Sequence, residues 1–229
     1  MRRALTAGAA IALVAGAAMW FVSTAGAQGG GTVEVEVKYS GAPVVEKLKV
    51  NKDTQQCGTE AVVEKVVVGG NKGLAYAVAS APGAKGATKT KAVIDQHGCK
   101  FVPHVVAMQP GELEIKNSDG ILHNIHTYST ANPSINKAQP KFKKTMTEKF
   151  EKPEVIKVTC DVHSWMLGWV AVTPGVAAVT DKDGVAKLEN VPAGKQKIEV
   201  WHETLGKQEK EVDVKAGQVT KVSFEMKGK

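Results

Sequence analysis

Three side chains with soft donor atoms lie close together in the segment CDVHSWM, where Cys160, His163 and Met166 follow one another at a spacing of three. A thiolate, an imidazole and a thioether together form a soft ligand set. Completed by a second histidine in a trigonal arrangement, with the thioether as a weak axial ligand, such a set suits mononuclear copper. Zinc sites more often use four Cys or His ligands, and a thioether is a poor zinc ligand. The motif therefore predicts a copper site that needs one more imidazole from elsewhere in the chain.

The best candidate for that imidazole is His123, in the segment NSDGILHNIH. It begins a predicted strand directly after an Asp-Gly turn, so its ring can project into a loop cluster at one pole of a sandwich. His126 lies three positions later, and odd spacing places the two rings on opposite faces of a strand. We therefore expect His126 at the surface or in a supporting role. His202 belongs to the C-terminal part of the chain and is expected at its surface. His97 and His104 are an alternative second metal site, although a histidine in a Pro-bounded strand is usually structural.

The first residues indicate export. Arg2 and Arg3 precede an uncharged apolar stretch from Ala4 to Val22, and the sequence AGA then supplies the small residues that a signal peptidase needs. We predict a signal peptide over residues 1–27, a periplasmic or extracellular mature protein, and no membrane span after cleavage. The alternative is a retained anchor, because the apolar stretch is just long enough to span a bilayer.

The composition argues against a nucleic-acid partner. The 229 residues carry 30 Lys+Arg against 23 Asp+Glu, a formal charge of +7. Charges of both signs alternate along the chain, and Lys far outnumbers Arg, which fits a solvated surface better than a nucleic-acid groove. A hydrophobic fraction of 43% is enough for packed cores.

Export also changes how the three cysteines are interpreted, because unpaired thiols are a liability in an oxidising compartment. Cys57 and Cys99 lie in polar, turn-like segments, whereas Cys160 ends an alternating run and is followed at once by His163 and Met166. We predict a Cys57–Cys99 disulfide, which leaves Cys160 as a metal thiolate. The alternative is that all three are reduced and buried.

The mature chain predicts an all-β protein. Short segments with period-two alternation are separated by Gly-, Pro- and Asp-containing turns, a pattern typical of sandwiches or small barrels. No amphipathic helix of ten or more residues is expected, and the Lys-rich stretch from Lys137 to Lys152 is expected to be a long loop. The predicted strands are Thr32–Tyr39, Ala61–Val68, Leu74–Ser80, Glu112–Asn117, Glu154–Thr159, Gly168–Thr173, Lys197–Trp201 and Val219–Met226.

The residues from Phe101 to Thr173 resemble the cupredoxins, both in FVPHVVAMQPGELEIKNSDGILHNI and in CDVHSWMLGWVAV. The resemblance, to the amicyanin and plastocyanin type of mononuclear (type 1) copper protein, implies a Greek-key β-sandwich that carries electrons and is not an enzyme. It implies that Asn124 braces the cysteine loop. The dinuclear copper variant is disfavoured, since its loop needs two cysteines. The implied ligands are His123, Cys160, His163 and Met166.

The C-terminal part, residues 174–229, resembles a carboxypeptidase regulatory-like domain, a small transthyretin-type β-sandwich. The features that carry the resemblance are TDKDG, VPAG and the alternating strand that follows. Residues 31–100 match nothing so specific, and we expect them to be strands of the copper domain or a β-unit packed on it. The ligand-bearing core is expected over residues 101–173.

The leading functional hypothesis is an exported electron carrier with an acidic redox partner. In this hypothesis a partly exposed His163 is the electron exit, and lysines between His123 and Cys160 steer the partner. The alternatives are a copper-binding or delivery module and a non-redox β-domain interaction protein. The lysines concerned are Lys137, Lys141, Lys143, Lys144, Lys149 and Lys152.

Overall fold

A computed structural model of the chain describes residues 29–84 and 92–228, so the predicted signal peptide lies outside the described residues. This part of the chain is almost entirely β-structure, and its helices are one turn of α-helix, α1 (Thr54–Cys57), and one turn of 3-10 helix (Gly70–Lys72). Within the described ranges, no helix has the length and apolar character needed to cross a bilayer. The strands are β1 (Gly31–Tyr39), β2 (Val44–Lys49), β3 (Glu60–Val66), β4 (Val78–Ala81), β5 (Ala92–His97), β6 (Lys100–Val102), β7 (Val105–Met108), β8 (Gly111–Asn117), β9 (His123–Tyr128), β10 (Asn136–Gln139), β11 (Thr145–Phe150), β12 (Glu154–Thr159), β13 (Leu167–Val172), β14 (Val176–Val179), β15 (Val185–Val191), β16 (Gly194–His202), β17 (Gly206–Val214) and β18 (Val219–Met226).

The first sandwich holds the predicted ligands. Its five-stranded sheet has the order β10-β9-β12-β13-β7, and its four-stranded sheet has the order β11-β8-β5-β6. Neighbouring strands are antiparallel except for the pairs β13–β7 and β5–β8. Alternate residues of both sheets share one core, in which Ile94, Ile115, Phe150, Ile156 and Val170 are buried. This is the arrangement that period-two alternation predicts for a sandwich.

The second sandwich combines both ends of the described chain. Its sheets have the orders β15-β1-β18 and β14-β4-β16-β17, and Val33, Val35, Leu188, Ile198 and Phe224 are fully buried in its core. In the three-stranded sheet, β1 is the central strand, antiparallel to β15 and parallel to β18.

Residues 31–100 are therefore divided between the two sandwiches, whereas the expectation was that all of them are strands of the copper domain or a β-unit packed on it. β1 and β4 pair with C-terminal strands, whereas β5 and β6 pair within the first sandwich. The physical reason is that the C-terminal strands alone leave β15 and β18 without a partner between them. The apolar face of β1 covers that gap and is buried in return.

A hairpin and a helical turn pack against the first sandwich. β2 and β3 pair only with each other, and Val50, directly after β2, and Ala61, within β3, join the first core. The end of α1 is bound to the turn between β5 and β6 by the Cys57–Cys99 disulfide, as predicted, and Cys160 is free and buried.

The Lys-rich stretch from Lys137 to Lys152 is not a long loop. It contributes the end of β10 and all of β11, which pair with β9 and β8. Gln139, Met146 and Phe150 are buried, and the lysines occupy the outward positions between them. A Lys-rich edge strand has few apolar residues to mark it, because one of its faces is solvated.

The two sandwiches meet through polar and aromatic side chains. Glu203, in the turn after β16, accepts a 2.7 Å hydrogen bond from Trp169 Nε1 and contacts His104 Nε2. His104 Nδ1 in turn lies 3.2 Å from the carbonyl oxygen of Leu167, and the Trp169 and Trp201 rings are 5.3 Å apart. The residue after Met166 is thus tied to the second sandwich.

His202 is buried in the second sandwich, not at its surface as expected. Only 1% of the residue is exposed, and Nδ1 accepts a hydrogen bond from the Thr204 N–H. Burial lowers the pKa of His202 to about 4, against an ordinary value of 6.5.

The stability of the second sandwich should therefore depend on pH between about 6.5 and 4. In this window the unfolded chain binds a proton that the folded chain excludes, so the free energy of unfolding falls as pH falls, by at most about 3 kcal/mol. Urea denaturation from pH 7 to 4 measures the slope. His202→Asn should flatten it, and exposed His97→Asn should leave it unchanged. An equal slope in all three proteins would contradict the assignment.

Candidate metal centre

Three buried donor atoms converge at one pole of the first sandwich. His123 begins β9, Cys160 directly follows β12, and His163 lies in the turn between β12 and β13. Cys160 Sγ lies 3.9 Å from His123 Nδ1 and 3.8 Å from His163 Nδ1, and the two Nδ1 atoms are 2.9 Å apart. The three side chains form one of two groups in the described residues whose donor atoms are close enough to hold a metal ion.

Both imidazoles are held from outside by a carboxylate. His123 Nε2 lies 2.9 Å from Asp119 Oδ2, and His163 Nε2 lies 2.9 Å from Asp53 Oδ2. A carboxylate can only accept, so each Nε2 carries a proton and donates it. Each Nδ1 then presents a lone pair to the centre. This is the arrangement of metal-bound histidines, whose second nitrogen is usually fixed by a carboxylate or carbonyl.

The residues present fit a soft metal ion. Two lone pairs 2.9 Å apart, beside a sulfur and away from water, repel one another unless a cation lies among them. Burial lowers the pKa of His123, so the surroundings disfavour a proton on this ring in the role of that cation. Burial also raises the pKa of the Cys160 thiol. Hydrogen bonds from the Asn124 and His163 N–H groups act the other way on the thiol and favour the thiolate.

Asn124 connects the strand of the first histidine to the loop of the cysteine. Its backbone N–H lies 3.5 Å from Cys160 Sγ, and its side-chain oxygen accepts hydrogen bonds from the N–H groups of Asp161 at 2.6 Å and Val162 at 3.3 Å. Its side-chain amide donates to Asn136. These are contacts of the kind that the resemblance implies for this residue.

Trp165 and Met166 follow the histidine in the ligand turn. Both are buried in the first core, and the Met166 N–H donates a 2.9 Å hydrogen bond to the His163 carbonyl, which closes the ligand turn. The Trp165 ring lies 5.1 Å from the His163 ring, and its Nε1 donates to the Cys99 carbonyl. The Trp165 ring therefore shields one side of the His163 imidazole from water.

Asp119 is itself fixed by the disulfide turn. Its carboxylate accepts hydrogen bonds from the N–H groups of Gly98 at 2.8 Å and Cys99 at 2.9 Å. Burial alone would raise the pKa of Asp119, but these bonds and the one to His123 outweigh it and lower the pKa. The carboxylate is therefore charged where it meets the histidine.

The other histidines lie outside the centre. His126 pairs with Asp161 at the surface and stacks on Tyr128, and His104 contacts the second sandwich. Among the described residues, neither His97 nor His104 belongs to a group whose donor atoms are close enough to hold a metal ion. His163, expected to be partly exposed, is 0% exposed, and its ring is contacted by Asp53, the residue before α1, and by Trp165.

Two sheets face each other, and the donors lie at the start of β9, directly after β12 and in the turn between β12 and β13. The first sandwich is cupredoxin-like. The described residues are almost entirely β-structure, and the cupredoxin-like sandwich is joined to a further β module.

Comparisons with solved structures give partial superpositions on copper proteins. A copper-containing nitrite reductase from Thermus scotoductus is 23% identical over 41% of this chain, with a TM-score of 0.32, and only 24% of that protein is covered. A purple cupredoxin from Nitrosopumilus maritimus is 22% identical, with 36% of this chain and 100% of that chain covered and a TM-score of 0.32. Amicyanin from Paracoccus versutus is 16% identical, with 37% and 82% covered and a TM-score of 0.31. No family model matches the chain, and no curated protein matches it.

Loss of the disulfide should loosen both carboxylates and lower stability. The bridge closes a separation of 42 residues, so replacing Cys57 and Cys99 together with Ala should cost about 4 kcal/mol of unfolding free energy. Chemical denaturation measures the loss, with Cys160→Ser as the control that keeps the bridge. Peptide mass spectrometry without reduction should find Cys57 joined to Cys99, and a bridge to Cys160 would contradict the metal centre.

Proposed function

We propose that the chain is a copper protein that carries single electrons, with His123, Cys160, His163 and Met166 as the ligands. The observation that carries the proposal is the convergence of two imidazole Nδ1 atoms and one sulfur, all buried and close enough together to hold a metal ion. Met166, next to that group in the ligand turn, supplies a thioether, which completes a set that suits copper better than zinc.

The surroundings favour electron transfer over chemistry on a substrate. When bound, copper supplies a one-electron couple. The protein holds both imidazoles from outside, braces the cysteine loop through Asn124, and packs Trp165 against His163. Such bracing keeps the donor atoms in place when the charge of the centre changes, which lowers the barrier to electron transfer. Four protein ligands also leave no coordination position for a substrate.

Burial of the centre argues against the delivery of copper to another protein. The three donor residues are at most 1% exposed, and Asp53, the residue before α1, contacts His163 from outside. Release of copper would require the segment that carries Asp53 to move, whereas an electron can be transferred across this segment without such a movement. The Cys57–Cys99 bridge supports an oxidising compartment outside the cytoplasm, in agreement with the predicted signal peptide.

Addition of one equivalent of cupric ion to the mature protein should produce an intense absorption band in the visible range. Cys160→Ser should abolish the band, because the thiolate is its source, and Met166→Gln should keep copper and shift its potential. His126→Ala is the matched control, since this ring lies outside the centre. A coloured Cys160→Ser protein would refute the ligand assignment. A colourless wild-type protein that binds zinc instead, or a copper form that cannot be reversibly reduced, would refute the carrier function.

For the partner, we propose an acidic protein that docks at the tip of the β10–β11 connection. Phe142 is 80% exposed there, and exposed Lys141, Lys143 and Lys144 flank it. Lys144 Nζ lies 3.4 Å from the carbonyl oxygen of Asp119, whose carboxylate contacts His123, so the tip lies near the donor atoms. Lys137 and Lys149 pair with Glu148 and Glu112 and are less available for this role, and Lys152 is exposed.

Replacement of Lys141, Lys143 and Lys144 with Gln should slow electron transfer with the natural partner several-fold at low salt, because steering by these charges is lost. The difference should shrink at physiological ionic strength, where the Debye length is about 8 Å. Stopped-flow kinetics measure the rate, and the control is Gln at Lys195, Lys210 and Lys221 of the second sandwich. Equal rates for the two triple variants at low salt would eliminate the tip as a docking site.

For the second sandwich, we propose the carboxypeptidase regulatory-like relationship that its motifs suggest, with a supporting role for the metal loop. The contact of Glu203 with His104 supports this role, since His104 also bonds to Leu167, next to Met166.

A further inference from the structure

The connection between β2 and β3, which includes α1, places the carboxylate of Asp53 against a ligand histidine of the candidate metal centre. We infer that Asp53 and Asp119 are positioning residues, which fix the ligand histidines with Nδ1 toward the metal and bias bound copper toward its more highly charged state. This inference rests on the proposed function, and it assigns a role to residues that belong to neither the ligand turn nor its strands.

Asp53 is held in place by its backbone and by the disulfide. Its φ of 48° and ψ of 39° are left-handed, a conformation that few residues other than Gly, Asn and Asp adopt. Its carbonyl accepts hydrogen bonds from the N–H groups of Gln56 and Cys57, and Cys57 is bonded to Cys99. The carboxylate therefore stays 2.9 Å from His163 Nε2 although 110 residues separate the two.

Asp119 depends on the same bridge from the other side. The N–H of Cys99 donates to Asp119 Oδ2, the oxygen that also meets His123 Nε2. The two halves of one disulfide thus fix the carboxylates of both histidine ligands. A change on either side of the bridge would reach both imidazoles.

Two physical effects follow from this arrangement. Each carboxylate requires a proton on Nε2, so the lone pair of each ring is on Nδ1, where the donor group is assembled. Each also raises the basicity of its imidazole and adds a negative charge near the metal, beside the thiolate. Both effects stabilise the cupric over the cuprous ion and slow the loss of copper.

Variants of Asp53 test the inference, because its side chain is 34% exposed and tolerates change better than buried Asp119. Asp53→Asn keeps the left-handed conformation and an acceptor but removes the charge. Asp53→Gly adopts the same backbone without strain and removes the side chain. Asp213→Asn, at an exposed position of the second sandwich, is the control for net charge.

Redox titration of the copper-loaded, full mature chain should show a ratio of cuprous to cupric protein at least tenfold higher in Asp53→Asn than in wild type at the same applied potential. This corresponds to a shift of about 59 mV. Asp53→Gly should in addition lose copper faster to a chelator, and Asp213→Asn should match the wild type. Equal potentials in wild type, Asp53→Asn and Asp53→Gly would overturn the inference while the copper colour remained, and so would leave the proposed function intact.

A measurement without metal separates the two claims further. In the metal-free protein, nitrogen-15 spectra of His163 should show the proton on Nε2 in wild type and a mixture of tautomers in Asp53→Gly. A proton on Nδ1 in the wild type would overturn the inference whatever copper does. A wild type that binds no copper but shows the Nε2 proton would refute the proposed function and support the positioning of His163 alone.

Discussion

Two imidazole lone pairs and a sulfur, buried together with no proton to share between the nitrogens, are the constraint on which the rest of this structure depends. Such a group is unfavourable unless a positive charge lies within it. The surrounding chain keeps the three atoms together nonetheless, through strand ends, a closed ligand turn and two carboxylates. The free energy of folding in the metal-free state must include the cost of this repulsion, which a bound cation removes.

The segment that carries Asp53 affects both the retention of a metal ion by the candidate centre and the access of solutes to it. A hairpin and one helical turn, neither paired with the sheets of the sandwich, are attached by a disulfide and by the bond from Asp53 to His163. The three donor residues are at most 1% exposed, so a small molecule would reach an ion held among them only if the surrounding chain opened. An electron needs no such opening, so the covered centre is suited to a task in which nothing but charge crosses the surface.

The sequence predicted the parts of the protein that carry local signals. The alternation in β12 and β18, the unequal settings of the cysteines and the soft donors at a spacing of three are all visible within short segments. Polar edge strands such as β17, whose sequence GKQEKEVDV shows little apolar alternation, have no such signal and were missed. Asp53 lay beyond sequence reasoning for another reason, since the fold alone brings it to His163. Asp119 had a weak signal, an acidic residue four positions before the first histidine.

The pairing of β1 with β18 has a mechanical consequence. The strand nearest the beginning of the described chain and the strand nearest its end lie side by side and parallel, with eight residue pairs in register. Tension applied to the two termini pulls these strands along their length in opposite directions, so all the hydrogen bonds between them are loaded at once and cannot open one after another. All strands of the first sandwich lie between β1 and β18 in the sequence. A chain tethered by its N-terminus and pulled from its C-terminus would therefore transmit the force through the second sandwich and leave the candidate metal centre unstrained.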